Sequence, residues 1–217
     1  MEQPPKNQIS ETLLDDLTNR RSLNMPGIFL LPDLVLASTS PRRAEILRTV
    51  GWPFETFAVE VDESLRSEEN ATSYVQRLAR EKAEAASTRF PSRLVLGADT
   101  VVVIENDILG KPLDETDACR MLRLLSGRWH QVLTGVTLSQ SDDSNRSLVA
   151  HESTEVKFAE MSDSEIDWYV STGEPLDKAG AYAIQGRGAR FIEAIKGDYF
   201  NVVGLPVRLL YELAQQF

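Results

Sequence analysis

The chain has 217 residues, 42% of them apolar and 26% charged, enough for one sizeable core and unlike the composition of a disordered chain. Its 33 acidic against 23 basic residues give a net charge of −10, which excludes a general nucleic-acid surface but is compatible with a basic cleft inside an acidic shell. The single cysteine, Cys119, excludes an internal disulfide framework, and no apolar run approaches the length of a membrane span.

Residues 1–32 carry prolines and mixed charge, with only a weak helical pattern around Leu13 to Leu17, and read as an extension to a domain spanning 33–217. The apolar run Gly27 to Leu31 is short and bracketed by Pro26 and Pro32, so it does not resemble a signal peptide, and a cytoplasmic setting is expected. The sequon at Asn70 then has no meaning as a glycosylation site. From Leu34 the pattern becomes regular. LVLA (Leu34 to Ala37) reads as a buried strand, and a helix from about Pro41 to Val50 follows, with Ser40 as N-cap and Gly51 ending it. FETFAV (Phe54 to Val59) reads as a second strand, and Ser73 to Ser87 as a helix with Tyr74, Val75, Leu78, Ala79 and Lys82 at helical spacing.

LVLGADTVVVI is strand-like on both sides of Gly97. Asp114 caps a helix whose Ala118, Met121, Leu122 and Leu125 share a face, closed by Gly127. Two strands follow, around Gln131 to Leu138 and Leu148 to Phe158, joined by a polar loop. Ser162 and Glu165 form a capping box that opens a helix to about Ser171. A glycine-rich stretch then precedes a last helix from about Leu205 to Ala214. Strands alternating with helices imply an α/β domain, a mixed central sheet flanked by helices.

Four stretches carry candidate chemistry. In SPRR, Pro41 starts a helix whose first-turn amides and dipole suit an anion, while Arg42 and Arg43 lie roughly 100° apart and need not share a job. Two readings stand side by side: a phosphate grip, aided by the hydroxyls of Ser38, Thr39 and Ser40, or a capped helix with solvated arginines. Asp99 follows an apolar strand, where it holds a metal, orients a water or caps a turn. Asp62 and Glu63 also end a strand, and alternation lets only one of them enter the same site; Glu63 with Asp99 offers hard oxygen ligands for Mg²⁺ or Mn²⁺. Lys111 in LGKP is not a phosphate-loop lysine, because Glu105 and Pro112 stand where that motif needs glycine and Ser/Thr; it is a surface residue or a charge carried over a phosphate by a hairpin. Lys82 on a helix is ordinarily solvent-facing, and QGRG lacks the third glycine of a dinucleotide fingerprint. Cys119, His130 and His151 show no partner pattern, and Trp52, Trp129 and Trp168 read as packing residues.

Taken in order, LASTSPRRAEIL, VDES, RLAREKA, LGADTVV, LGKP, LSGRWHQVLTGV, EPLDKAGAYAIQGRGA and GDYFNVVGLP resemble the Maf family of nucleotide pyrophosphatases from about Leu34 to Leu213. The resemblance implies an α/β/α fold like that of the inosine triphosphate pyrophosphatases, with a cleft between two lobes, in a homodimer. It also implies metal-dependent cleavage of a nucleoside triphosphate to the monophosphate and pyrophosphate. Carried over residue by residue, it makes Ser38, Arg43, Lys82 and Lys111 phosphate contacts. Glu63 and Asp99 become the carboxylates serving metal and water, with Asp99 as proton acceptor and Lys82 beside them in the catalytic group. Arg42, Thr100 and Gln185 match the subgroup acting on dTTP and UTP rather than the one preferring 7-methyl-GTP. A nucleotide-binding regulator of cell division, in which hydrolysis is incidental, is the alternative; carboxylates at two strand ends favour the enzyme.

Overall fold

The computed structural model describes residues 29–141 and 146–217, so the weak helical pattern near Leu13 and the middle of the polar loop after Gln140 lie outside the described residues. Strand β1 (Leu34–Leu36) leads into helix α1 (Pro41–Thr49), then β2 (Phe54–Thr56) and the long helix α2 (Ala71–Ser87). Next come β3 (Leu94–Ile104), β4 (Asp107–Leu109), α3 (Glu115–Leu125), β5 (Trp129–Gln140), β6 (Arg146–Phe158) and α4 (Asp163–Ser171). Three 3₁₀ turns (Glu174–Asp177, Ala179–Ala181, Arg187–Phe191), β7 (Ile192–Lys196), α5 (Tyr199–Val203) and α6 (Val207–Ala214) complete the domain.

The seven strands form one sheet in the order β2-β1-β3-β5-β6-β7, with β4 added to the end of β3. β1 runs parallel to β2 and β3, and every other pairing is antiparallel, so the sheet is mixed as expected. The period-2 alternation of β3 and β5 sorts the core onto two faces. Val102, Ile104 and Val132 pack with Ala118, Met121, Leu122 and Ile166 of α3 and α4, whereas Val101 and Leu133 pack with Val75 of α2. Helices therefore cover both faces, which is why β3 is buried at nine of its eleven positions.

Several boundaries move. The second strand stops at Thr56 instead of reaching Val59, because β1 offers partners only from Leu34 to Leu36. The Ser73 helix begins two residues earlier, capped by Asn70, whose Oδ1 accepts the Ser73 N–H at 2.9 Å. Ser40 occupies the N-cap position of α1 without a side-chain cap; its own N–H donates to Ser38 Oγ at 3.1 Å. The last helix starts at Val207 rather than Leu205, with Pro206 at its N-cap, and a short helix, α5, that ends at Gly204 precedes it. The capping box of Ser162 and Glu165 and the buried face of α3 are present. Trp52 is core, but Trp129 and Trp168 lie at the surface under Lys196 and Arg190.

The approach of α2 to the sheet depends on two glycines that face it. A Cβ at Gly97 would stand 2.0 Å from the Ala79 carbonyl oxygen, and one at Gly135 2.2 Å from that of Val75. We expect Gly97→Ala to force the helix off the sheet and lower the unfolding free energy by about 3 kcal/mol or more in urea titration, since the clash is with backbone that cannot rotate away.

His130 supplies a second test. It is 3% exposed, hydrogen-bonded through Nε2 to the Tyr182 hydroxyl at 2.8 Å and set edge-on to Phe158. Burial pushes its pKa down to about 4. The unfolded chain therefore binds the extra proton first, so the stability linked to neutral His130 is complete above about pH 6.5 and is lost as pH falls toward 4. Between pH 7.5 and pH 5 the wild type should lose about 2 kcal/mol more than His130→Gln in urea titrations.

Candidate functional site

A cavity of about 320 Å³ lies where β3 has no neighbour on one edge. β1 pairs with Leu94, Val95 and Leu96, and β4 takes up the edge again at Val102, while β5 pairs with β3 from Leu94 to Val103 on the other side. Asp99 and Thr100 sit in this gap. Consecutive strand residues point to opposite faces, yet both reach the cavity because the open edge joins the two faces there. Asp99 is thus inside a strand rather than beyond its end, because β5 carries the ladder past it. The nine side chains carried over from the family resemblance, Ser38, Arg42, Arg43, Glu63, Lys82, Asp99, Thr100, Lys111 and Gln185, all line this one cavity.

Lys82 is its centre. The helix places Nζ 2.6 Å from Asp99 Oδ1 and 2.7 Å from Glu63 Oε1, with the Lys82 and Asp99 side chains only 11% and 12% exposed. This lysine is buried, not solvent-facing, because Gly97 and Gly135 let α2 lie so close. Burial alone would raise the Glu63 pKa, but the Lys82 hydrogen bond and the charges of Lys82, Lys111 and Arg43 outweigh it and leave the carboxyl below its ordinary range. Glu63 does not end a strand; it sits on an irregular segment clamped by α2. Tyr74 donates to the Glu63 carbonyl at 2.7 Å, and Arg77 donates to the carbonyls of Asp62 and Ser64 and to both Glu69 carboxylate oxygens. Asp62 turns away and accepts the Ser64 N–H. Tyr74 and Arg77 were missed as site residues by sequence reasoning; Tyr74 carried a signal in its helical spacing with Lys82, whereas Arg77, about 140° round the helix from Lys82, carried none.

The two arginines of SPRR separate as their spacing implied. Arg43 is buried and donates to the Gly204 carbonyl at 2.8 Å, to Thr100 Oγ1 at 3.0 Å and to Ser38 Oγ at 3.3 Å. Burial lowers its pKa, opposed by the nearby negative charge of Asp99. The frame behind it is exact in position: Thr100 Oγ1 meets Thr134 Oγ1 at 2.9 Å, Thr134 donates to the Asn201 carbonyl, and Asn201 Nδ2 donates to Val132 O and Thr154 Oγ1. Arg42 instead reaches across to Asp177. Lys111 is exposed on the cavity wall just after β4, and Gln185 is exposed at its rim.

Chemically, the cavity combines five cationic side chains, three carboxylates and the first turn of α1, a set suited to a polyanion. Among the described residues no group of three or more His, Cys, Asp and Glu side chains is placed to hold a metal ion. Glu63 and Asp99 nevertheless face one point, marked by Lys82 Nζ, and two carboxylates fit an ion of the Mg²⁺ type that takes its remaining ligands from substrate and water. Cys119 lies outside the cavity near Asp167, its thiol pKa pushed up by burial. Among the described residues no helix is long and apolar enough to cross a membrane.

Comparison with known proteins places this site in context. The Maf-like protein family matches residues 33–217. A dTTP/UTP pyrophosphatase of Symbiobacterium thermophilum is 54% identical over 187 residues, covering 86% of this chain and 95% of that protein. A dTTP/UTP pyrophosphatase of Salmonella typhimurium is 51% identical over 185 residues, covering 85% and 92% respectively. Among solved structures, the Staphylococcus aureus Ham1 protein aligns with a TM-score of 0.48 at 15% identity, covering 85% of this chain and 98% of that one.

Arg43→Lys tests the frame of the site. Arg43 serves its three acceptors from three separate nitrogens, and the single Nζ of a lysine cannot stand at all three positions, which leaves the Gly204 carbonyl only its long 3.5 Å contact from Thr100 Oγ1. The expected cost is about 1–3 kcal/mol of unfolding free energy, read by urea titration.

Proposed function

The chain belongs to the Maf family, and from that premise we propose that it is a nucleoside triphosphate pyrophosphatase that hydrolyses dTTP and UTP, or modified pyrimidine nucleotides, to the monophosphate and pyrophosphate. The observation that carries the proposal is the cavity in which Glu63 and Asp99 share the Lys82 ammonium opposite Arg43 and Ser38. A binding module would need the cationic grip but not a carboxylate held at the same point.

In this reading Ser38, Arg43, Lys111 and the first-turn amides of α1 bind the triphosphate, and their donors match the charge that develops on the phosphoryl oxygens and on the leaving pyrophosphate. Asp99, kept close to Lys82, accepts the proton of the water that opens the anhydride between the α and β phosphates. Glu63 and Asp99 would hold a divalent cation, Mg²⁺ or Mn²⁺, which when bound neutralises phosphate charge. Arg42, Thr100 and Gln185 face the base; the Gln185 amide offers both a donor and an acceptor, as a pyrimidine edge requires, and a site built on such pairs discriminates strongly. The catalytic domain is residues 33–217 with 1–32 as an extension. A cytoplasmic homodimer acting on free nucleotides completes the proposal, and the net charge of −10 supports the absence of nucleic acid among its partners.

The test is pyrophosphate release from a panel of dTTP, UTP, CTP, GTP, 7-methyl-GTP and ITP with Mg²⁺ or Mn²⁺. Turnover should be highest for dTTP and UTP, and Asp99→Asn should reduce it by about a thousandfold or more while the unfolding midpoint stays within the folded range. Nucleotide binding without cleavage of any member of the panel would favour the regulator.

A further inference from the structure

Arg42 and Gln185 lie far apart in the chain, yet both are tied to one short segment at the cavity wall, Glu174–Lys178, just after helix α4. The Glu174 carboxylate accepts three hydrogen bonds: Tyr169 hydroxyl to Oε1 at 2.8 Å, Gly188 N–H to Oε1 at 3.0 Å and Arg187 N–H to Oε2 at 3.0 Å. The same Tyr169 oxygen accepts the Ala183 N–H at 3.2 Å. The backbone is therefore fixed on both sides of Ile184, Gln185 and Gly186. Glycine is needed where the loop closes: a Cβ at Gly188 would stand 2.5 Å from the Tyr169 oxygen, and one at Gly186 2.8 Å from Glu174 Oε2. The glycines of QGRG thus serve a carboxylate clamp, not a dinucleotide.

At the other end of the segment, Asp177 holds Arg42. Nη1 donates to Oδ2 at 3.2 Å and Nη2 to the Asp177 carbonyl at 3.4 Å. Lys178 pairs with the second carboxylate oxygen of Asp177 and also donates to the Glu174 carbonyl at 2.7 Å, locking the two ends of the segment together. An arginine held through two donors by a carboxylate and a carbonyl has its direction fixed, as donation to a base carbonyl requires. Arg43, which pairs with no carboxylate among the described residues, is held by neutral acceptors alone.

We propose that Glu174 and Asp177 are the positioning residues of base recognition: Glu174 sets the loop that presents Gln185, and Asp177 orients Arg42. The inference rests on the assignment of Arg42 and Gln185 to the base, so the experiment separates the two. Steady-state kcat and KM for UTP, CTP and GTP are measured for the wild type, for Arg42→Ala and Gln185→Ala, for Asp177→Asn and Glu174→Gln, and for the doubles Arg42→Ala/Asp177→Asn and Gln185→Ala/Glu174→Gln. The expected result is that Asp177→Asn and Glu174→Gln each lower the UTP-over-CTP ratio of kcat/KM by about tenfold, chiefly through KM for UTP, and that each double matches its alanine single. Unchanged ratios in Arg42→Ala and Gln185→Ala would overturn the base assignment and the inference with it. Altered ratios in those two, with wild-type ratios in Asp177→Asn and Glu174→Gln, would overturn the positioning inference alone. An equal loss on every nucleotide, in kcat and in unfolding midpoint together, would make the segment merely structural and overturn it as well.

Discussion

The site depends on how closely helix α2 lies against strands β3 and β5. Gly97 and Gly135 remove the side chains that would hold the helix away, and the backbone of Ala79 and Val75 occupies that space. Only at this distance does Lys82 reach Asp99, and only then does Tyr74, two turns earlier on the same face, reach the Glu63 carbonyl. A lysine and an aspartate this buried would each be costly alone; as a hydrogen-bonded pair sharing a second carboxylate they satisfy one another. The same closeness therefore sets the packing and the chemistry.

A second constraint acts along the sheet. A fully paired β3 would bury Asp99 and Thr100 between strands, and no ligand could approach them. Because β1 is only three residues long and β4 begins later, a short stretch of edge stays open in an otherwise closed sheet. Basic side chains gather at that opening although the protein as a whole is strongly acidic, with the result that the field focuses anions on the cavity and away from the rest of the surface.

Much of this was legible in the sequence, and the exceptions have physical reasons. Residues carrying their own local signal were readable: the buried runs of β1 and β3, the Ser162 capping box and the apolar face of α3; the charged groups that the cavity collects came together only through the family resemblance, since locally Lys82 read as solvent-facing. What depends on a distant partner was not. The end of β2 is set by β1, and Asp99 became a mid-strand residue because β5 extends beyond it. β4 and β7 are short or exposed strands with little alternation, defined mainly by the neighbours they pair with. Asn70, first considered only as a sequon, is a helix cap. Arg77 holds the Glu63 segment through the backbone carbonyls of Asp62 and Ser64, partners no local pattern around RLAREKA announces.

The adjacent arginines raise the question the chain poses most sharply: why place two cations together in an acidic protein? Helical geometry turns them in different directions, and each direction meets a different environment. Arg43 turns inward onto a carbonyl and two hydroxyls, keeps its net charge uncompensated by direct contact, and is held by a frame running back through Thr134 and Asn201 into the sheet. Arg42 turns toward Asp177, where its geometry is fixed by a carboxylate it shares with Lys178. One guanidinium is thus tuned for charge and the other for direction. Polyanion binding and base selection make just these two demands, and a helix turn of about 100° per residue lets neighbouring positions in one motif meet both.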